Sequence, residues 1–368
     1  MPFQEVSKMH LRKQMVIRIR AGELSVSAAA REYGVARNTV KLWLRRADEV
    51  SLGDLKEKSR RPRSSPNATE ASIEEAVLQF KRVRPCWGAK KLLVTLWPEG
   101  SPISIRTGDR ILKRHGLVRV RGQAESVQRF ERESPNQLWQ IDFKGLGRYN
   151  PGYSPLTILD DASRYCIGFD PLENHQPRVI LSSLWAAFGE FGLPEAILMD
   201  NEPCFAEISR RGPSWLESQL WLLGIRTLHG RPYHPQTQGK VERFHRTVED
   251  ELGSELRQNS ILEAREIYSR FVHDYNYERP HEALGMRPPG AVYVPSTRSR
   301  PTAIPVHEIP SGSISRKTDD RGVFSYRNVS YRVGRGLGCQ TVELKEEAEG
   351  MAAYFAGRRI ELLAALRV

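Results

Sequence analysis

Cysteine is scarce: Cys86, Cys166, Cys204 and Cys339 stand far apart in 368 residues and form no CxxC pair. A zinc ribbon and a disulfide scaffold are thereby excluded, and a reducing cytosol fits. Long apolar runs are missing too. Nothing approaches the roughly 18 consecutive apolar residues of a membrane helix, and the opening MPFQEVSKMHLRKQ lacks an apolar signal-peptide core. No membrane partner is expected. GxSxG and P-loop motifs are absent, so no nucleotide cofactor is expected either. Internal repeats and long low-complexity tracts are also missing. What remains is 39% hydrophobic, enough for real cores, in a length suited to two or three domains.

The charge is unevenly placed. Residues 1–133 hold 28 Lys+Arg against 15 Asp+Glu, net +13, while residues 134–368 hold 28 against 29, net −1. Basic charge on that scale favours a polyanion, nucleic acid first and a membrane surface second. Charge kept only for solubility is the alternative.

Two breaks organise the chain. Residues 58–67, KSRRPRSSPN, read as a basic linker. Residues 286–312 carry Pro288, Pro289, Pro295, Pro301, Pro305 and Pro310, which forbid a long helix or a central strand. The expected domains are a helix-turn-helix over 1–57, a second helical domain over 68–133, a mixed α/β core over 134–295, a Pro-rich linker over 296–312 and a small β domain over 313–368. The last contains FSYRNVSYRVG, TVELKEE and MAAYFAGRRIEL, whose alternation predicts three or more short strands.

LSVSAAAREYGVARNTVKLWLRRADE reads as helix, tight turn, helix. Ser25 or Ser27 caps the first helix, Gly34 makes the turn, and Val40, Trp43 and Leu44 give the second a buried stripe. A second helix of this kind reads the major groove, which would aim Arg37, Asn38, Thr39 and Lys41 at DNA. A helical hairpin with a solvated charged face has the same pattern. In the next block SIEEAVLQFKRVRPCWGAKKLLVTLW predicts two helices broken at Pro85–Gly88, and ISIRTGDRILKRHGLV a third, capped by Ser104 or Thr107 and ending at Gly116. Arg106, Arg110, Lys113 and Arg114 crowd that third helix as further DNA contacts. Two basic modules in series raise affinity through effective concentration.

The third block alternates. Strands are predicted at Leu138–Phe143, Leu156–Leu159, Cys166–Phe169, Ala196–Met199 and Arg226–Leu228, and helices at Val179–Phe191, Trp215–Leu223 and Gln238–Leu256. The order βββαβαβα implies a mixed five-stranded sheet flanked by helices. Asp142 lies inside the first strand. Asp200 ends a short buried strand, where α/β sheets bind ligands. Glu242 flanks the Val241, Phe244, Val248 and Leu252 stripe of the long helix. Three converging carboxylates repel one another unless cations join them, and hard oxygen ligands suit Mg²⁺ or Mn²⁺. Two such ions can activate an attacking oxygen and stabilise a leaving oxygen at a phosphodiester. Each acid alone has an ordinary reading: a turn cap, a loop residue, a solvated helix residue. Asp160 and Asp161 are nearby acids that compete for the first position. His234 contacts DNA or closes a turn, and His245 stands one helical turn from Glu242.

WQIDFKG around Asp142, MDNEPCF around Asp200, RPYHPQTQGKVERFHRT around Glu242 and YNYERPHEALGMRPP downstream resemble the DDE integrase-core transposases of bacterial insertion sequences, relatives of retroviral integrases. The resemblance covers 134–295 and, more loosely, the N-terminal modules. It implies an RNase H-like core and catalytic, metal-binding roles for Asp142, Asp200 and Glu242, with two divalent ions. It places Lys240 and Arg243 near phosphate. It further implies element-end and target double-stranded DNA as partners, a dimer or larger synaptic complex, a cytoplasmic, nucleoid-associated bacterial location and a barrel-like C-terminal domain. The implied activity is cleavage at terminal inverted repeats followed by strand transfer. A non-catalytic DNA-binding regulator and a metal-dependent nuclease are the alternatives. Two features depart from the family pattern. Glu202 follows Asn201 where the family usually has Gly, and 41 residues separate Asp200 from Glu242, more than the usual mid-thirties.

Overall fold

The computed structural model describes residues 7–49, 55, 57, 68–118, 132–147, 152–206, 212–230, 239–347, 350–360 and 363–364. The 58–67 linker, His234 and most of the PQTQG run lie outside the described residues. The chain forms two units, Met1–Ala68 and Thr69–Val368.

The first unit holds α1 (Lys8–Arg20), α2 (Val26–Glu32) and α3 (Arg37–Glu49). Ser25 caps α2, its hydroxyl accepting from the Ala28 amide. Gly34 makes the turn at φ +64°, a conformation that costs a side-chain-bearing residue about 1–2 kcal/mol. Val40 and Trp43 bury as the sequence predicts, against Met15, Val16, Ala29 and Ala30. Helix α1 has no counterpart in the reading of the sequence, because LRKQMVIRIR interleaves charge with its apolar residues. It contributes Met15 and Val16 to the core and lays Arg12 over the Trp43 ring at 4.0 Å.

The second unit opens with α4 (Ala71–Val83), α5 (Ala89–Leu96) and α6 (Ile105–Arg114). The Pro85–Gly88 break is held from inside. The buried Lys81 ammonium donates to the carbonyls of Pro85 (2.8 Å) and Trp87 (2.7 Å). Ser104 caps α6. Gly108 lets α5 and α6 close up, since a Cβ there would sit 3.1 Å from Ala89 Cβ. Polar contacts fix this three-helix module to the α/β core: Arg84 pairs with Asp274 at 2.5 Å, the Trp87 indole donates to Glu251 at 3.1 Å, the Cys86 thiol donates to the Asp250 carbonyl at 2.7 Å, and Lys90 pairs with Glu282 at 3.6 Å.

The core sheet has the order β3 (Cys166–Leu172), β2 (Ser154–Asp160), β1 (Trp139–Phe143), β4 (Ala196–Met199), β5 (Arg226–His229). The first three strands pair antiparallel, and β1, β4 and β5 run parallel. This is the mixed five-stranded α/β core expected of an RNase H-like fold. Alternation divides its side chains. Trp139, Ile141, Leu156 and Ile158 pack on one face against α7 (Pro177–Phe191) and α8 (Trp215–Leu222). Leu159, Cys166 and Phe169 pack on the other against α9 (Gly239–Leu252) and α10 (Ile261–His273). Both clusters are fully enclosed by helices, so strands read as near-continuous apolar runs.

Helix α10 and the short π-helical turn Asp274–Glu278 after it were not predicted. They fall where the sequence was read only as a closing motif. The turn seals the sheet edge through Asn276, which is buried. Its side chain accepts from the Cys166 amide (2.8 Å) and donates to the Cys166 carbonyl (2.9 Å), completing strand β3.

The Pro-rich segment is a strap rather than a free tether. Ser296 donates its amide to Phe191 O (2.8 Å), Leu193 N donates to Arg298 O (2.7 Å), and the Arg298 and Arg300 guanidiniums reach the carbonyls of Pro194 and Trp185. Prolines cannot donate, so arginine side chains supply much of the bonding. Beyond it lie β6 (Ile314–Lys317), β7 (Val323–Tyr326), β8 (Val329–Arg332), β9 (Thr341–Glu347), β10 (Gly350–Phe355), β11 (Arg358–Ile360) and β12 (Leu363–Ala364). Among the described residues they form two antiparallel sheets, β11-β10-β9-β6 and β12-β8-β7, not one closed barrel. Trp221 and Leu222 of α8 pack into the core of these sheets.

Asn276→Ala strands a buried amide and a buried carbonyl at once. We expect a loss of about 2–4 kcal/mol in urea unfolding, one to three per unsatisfied group less partial hydration. A loss under ~0.5 kcal/mol would contradict the edge-sealing role.

Candidate active site

The sheet register brings two acids level. Gln140 pairs with Leu198 across the parallel β1–β4 ladder, so Asp142 and Asp200, each two residues on, leave the same end of neighbouring strands. That end is the carboxyl edge of the parallel strands, where α/β sheets bind their ligands. Asp200 closes an Asx turn by accepting from the Glu202 amide at 2.9 Å. Behind it, His229 bonds the Asp200 carbonyl (3.0 Å) and the buried Glu217 (2.9 Å). Glu217 raises the His229 pKa, and His229 lowers that of Glu217. The pair therefore clamps the Asp200 backbone.

Glu242 arrives on α9. Val241, Phe244 and Val248 bury against Phe169, Tyr268 and Tyr275, and Leu252 packs at their edge. Glu242, one residue off that stripe, is exposed in the first turn, where the helix N-terminus favours an anion. Two of the contacts that set the height of α9 on the sheet lie near its middle. His245 meets Thr157 Oγ1 at 2.8 Å, and Lys144 donates to Glu249 at 3.1 Å. Burial, with Lys144 nearby, pushes His245 down to about 3, so its imidazole is neutral. Its 3.8 Å approach to Asp142 is then neither an ion pair nor a hydrogen bond.

The electrostatics record the convergence. Burial first, then the charges of Asp200, Glu202 and Glu242, push the Asp142 carboxyl up to about 7, despite a hydrogen bond from the Phe143 amide. Asp200 is raised as well, by burial and by Glu202. Asp142 is thus within electrostatic range of both Asp200 and Glu242, with Glu202 as a fourth carboxylate acting on Asp142 and Asp200. A set of oxygen donors with unrelieved like charge fits hard divalent cations such as Mg²⁺ or Mn²⁺.

Asp160 and Asp161 sit elsewhere and are spoken for. Asp160 is fully buried and accepts from the amides of Asn136 and Ser163 and from the Ser163 hydroxyl. Asp161 accepts from Gln140 (2.6 Å) and the Arg132 amide (2.8 Å) and pairs with Lys240 at 2.5 Å. Lys240, expected near phosphate, therefore holds α9 to the β2–β3 turn. Arg243 is exposed one turn position from Glu242.

In the first unit Arg37, Asn38 and Lys41 are exposed, and Thr39 half-buried, at the start of α3. On α6, Arg106, Arg110 and Lys113 are exposed at helical spacing on one face, whereas Arg114 pairs with Glu74. Three residues near the carboxylates were missed as partners. Glu202 and Cys204 sit in the MDNEPCF turn, and His175 carries no sequence signal. Their ligand atoms lie within 4.8 Å of one another. Cys204 is buried, and burial with the charges of Glu202 and Asp200 pushes its thiol up to about 12. No helix among the described residues is long and apolar enough to cross a membrane.

Comparison with known proteins places these elements. Two family descriptions, each named Integrase core domain, match residues 132–235 and 223–289, and a winged helix-turn-helix matches residues 12–75. The putative transposase for insertion sequence element IS5376 of Geobacillus stearothermophilus is 22% identical over 352 residues, 92% of this chain and 83% of that protein. The Gag-Pol polyprotein of baboon endogenous virus is 27% identical over 136 residues, 37% of this chain but only 8% of the polyprotein. Among solved structures, the catalytic core domain of BIV integrase aligns with a TM-score of 0.34 and 22% identity, over 43% of this chain and 93% of that one.

The raised Asp142 pKa sets a testable pH dependence. Its folded value, about 7, lies above the unfolded carboxylate range. Between the two the folded state holds a proton that the unfolded state releases, so metal-free stability falls as pH climbs from about 4 to about 7. Scanning fluorimetry in chelator should show Asp142→Asn melting above the parent at pH 8 and level with it near pH 4. Mg²⁺ or Mn²⁺ should raise the parent's Tm more at pH 8 than at pH 5. Equal melting of parent and variant at pH 8 would contradict the like-charge cluster.

Proposed function

We propose, since residues 132–289 match the Integrase core domain and insertion-sequence transposases are among the chain's relatives, that it is a transposase that cuts and joins DNA at the Asp142, Asp200 and Glu242 carboxylates. The observation that supports the reading is that Asp142, raised first by burial, also feels the charges of Asp200, Glu202 and Glu242, which come from separate segments of the chain. Asp142, Asp200 and Glu242 would hold the divalent ions. When bound, two such ions supply Lewis-acid activation of an attacking oxygen and stabilisation of a leaving one.

The chain's own residues do the remaining work. The His229–Glu217 couple fixes the Asp200 backbone, and neutral His245 with Thr157 fixes the height of α9. Both reduce the motion that would loosen the acids, where misplacement by an ångström costs about 10²-fold in rate. Arg243, exposed beside Glu242, is placed to meet a phosphate of the bound strand. Lys240 joins it only if its pair with Asp161 opens. Strand cleavage would add water across the phosphodiester, leaving a 3′-hydroxyl and a 5′-phosphate. The 3′-oxygen would then attack a target phosphodiester, displacing the target's own 3′-oxygen, which takes up the proton. No covalent enzyme intermediate is required.

The α3 face with Arg37, Asn38, Thr39 and Lys41, and the α6 face with Arg106, Arg110 and Lys113, would bind the element's terminal inverted repeats. Joining two ends in one event calls for at least two copies of the chain. The regulator and nuclease readings share the binding surfaces but not the joined product. Glu202 adds a carboxylate to the pocket instead of removing one, which favours the catalytic reading over the regulator.

Asp142→Asn should abolish cleavage and joining of oligonucleotide ends in Mn²⁺ while gel-shift binding of the same ends persists. Cleavage that survives the change would overturn the assignment. Lys41→Ala should weaken end binding and lower the slope of log K against log salt by about 1 for each phosphate left without its cation. An unchanged slope would remove Lys41 from the interface.

A further inference from the structure

We propose that His175, Glu202 and Cys204 form a second cation site, selective for a thiophilic divalent ion of the zinc class, at the rim of the carboxylate cluster. The donor set is one imidazole nitrogen, one carboxylate oxygen and one sulfur, all mutually within 4.8 Å. Cys204 Sγ already lies 3.8 Å from Glu202 Oε2. Zinc bonds of about 2.0–2.3 Å in a tetrahedron need ligand atoms roughly 3.3–3.8 Å apart. The required contraction is therefore about an ångström. Glu202 is exposed and can supply it by a rotamer change, while Cys204 is buried.

The ring of His175 is also preset. It stacks on Phe143 with centroids 3.8 Å apart and planes 7° from parallel, and Phe143 in turn stacks on Phe205. That ladder ties the imidazole to the residue after Asp142 and to the residue after Cys204. Mixed N, O and S donors select zinc-class ions over Mg²⁺, which takes all-oxygen shells. Three protein ligands leave a fourth position open to water. Glu202 is the shared element, since its charge bears on both Asp142 and Asp200. A cation held on Glu202 therefore reports to the carboxylate cluster without entering it.

The test is metal binding by the full chain, read apart from any DNA activity. Equilibrium dialysis against Zn²⁺ in millimolar Mg²⁺, with Co²⁺ as a spectroscopic substitute, is compared for the parent, Cys204→Ser, His175→Ala and Asp142→Asn. The proposal expects one tightly bound ion in the parent and in Asp142→Asn, with a thiolate-to-cobalt charge-transfer band. It expects at least tenfold weaker binding in Cys204→Ser and His175→Ala, and loss of the band in Cys204→Ser. A band that persists in Cys204→Ser assigns the sulfur to another cysteine and overturns it. So does an ion lost in Asp142→Asn but kept in Cys204→Ser, which places zinc among the acids. Circular dichroism of each variant identifies any that misfold. For such a variant Cys204→Ala replaces Cys204→Ser and His175→Gln replaces His175→Ala, with the same expectations. The outcome is independent of whether Asp142 cuts DNA.

Discussion

Repulsion between carboxylates at one edge of the sheet is the constraint around which the second unit is organised. Asp142 sits on the central strand, and burial together with three neighbouring charges holds its proton on to about neutral pH. Such a cluster survives only if the scaffold beneath it is stiff enough to keep the acids from swinging apart. The two apolar clusters supply that stiffness. Trp139 and Ile141 on one face of β1 pack into the α7–α8 layer, and the opposite face of the sheet receives the α9–α10 layer. A carboxylate on such a strand can relax little, and a cation is the direct way to relieve it.

The polar contacts around the cluster serve position more than stability. Lys240 to Asp161, His245 to Thr157 and Lys144 to Glu249 tie three successive turns of α9 to the sheet. His229 and Glu217 do the equivalent for the turn carrying Asp200. Each uses a group that sequence alone would offer for chemistry. Asp161 and Lys240 show why an acid or a base near a motif is not thereby a ligand: both are consumed in holding the frame.

Much of this was legible in the sequence, for identifiable reasons. Helices α2 to α6 carried caps and breaks that act locally, such as Ser25, Gly34, Ser104 and Gly116, and five strands carried short apolar runs bounded by turn residues. Asp142, Asp200 and Glu242 could be nominated because Asp142 lies inside a strand, Asp200 ends one and Glu242 flanks the apolar stripe of a helix, each within a motif that resembles the integrase core. What escaped depended on distance in space. Helix α1 and helix α10 bury residues that interleave with charge, so their role emerges only against partners. The Pro-rich segment reads as a tether because its bonding comes from Arg298 and Arg300 reaching carbonyls more than seventy residues away. The neighbourhood of His175, Glu202 and Cys204 joins two loops that nothing in either loop announces.

The central claim is that Asp142 is a protonatable ligand whose proton a divalent cation must displace. Isothermal titration of Mn²⁺ into the protein near pH 6.5, repeated in buffers of different ionisation enthalpy, measures that displacement directly. The account predicts a net proton release on binding that fades by pH 8.5 and is lost when Asp142 is replaced by Asn. Binding with no linked proton at pH 6.5, or release that persists in the Asn variant, would contradict it.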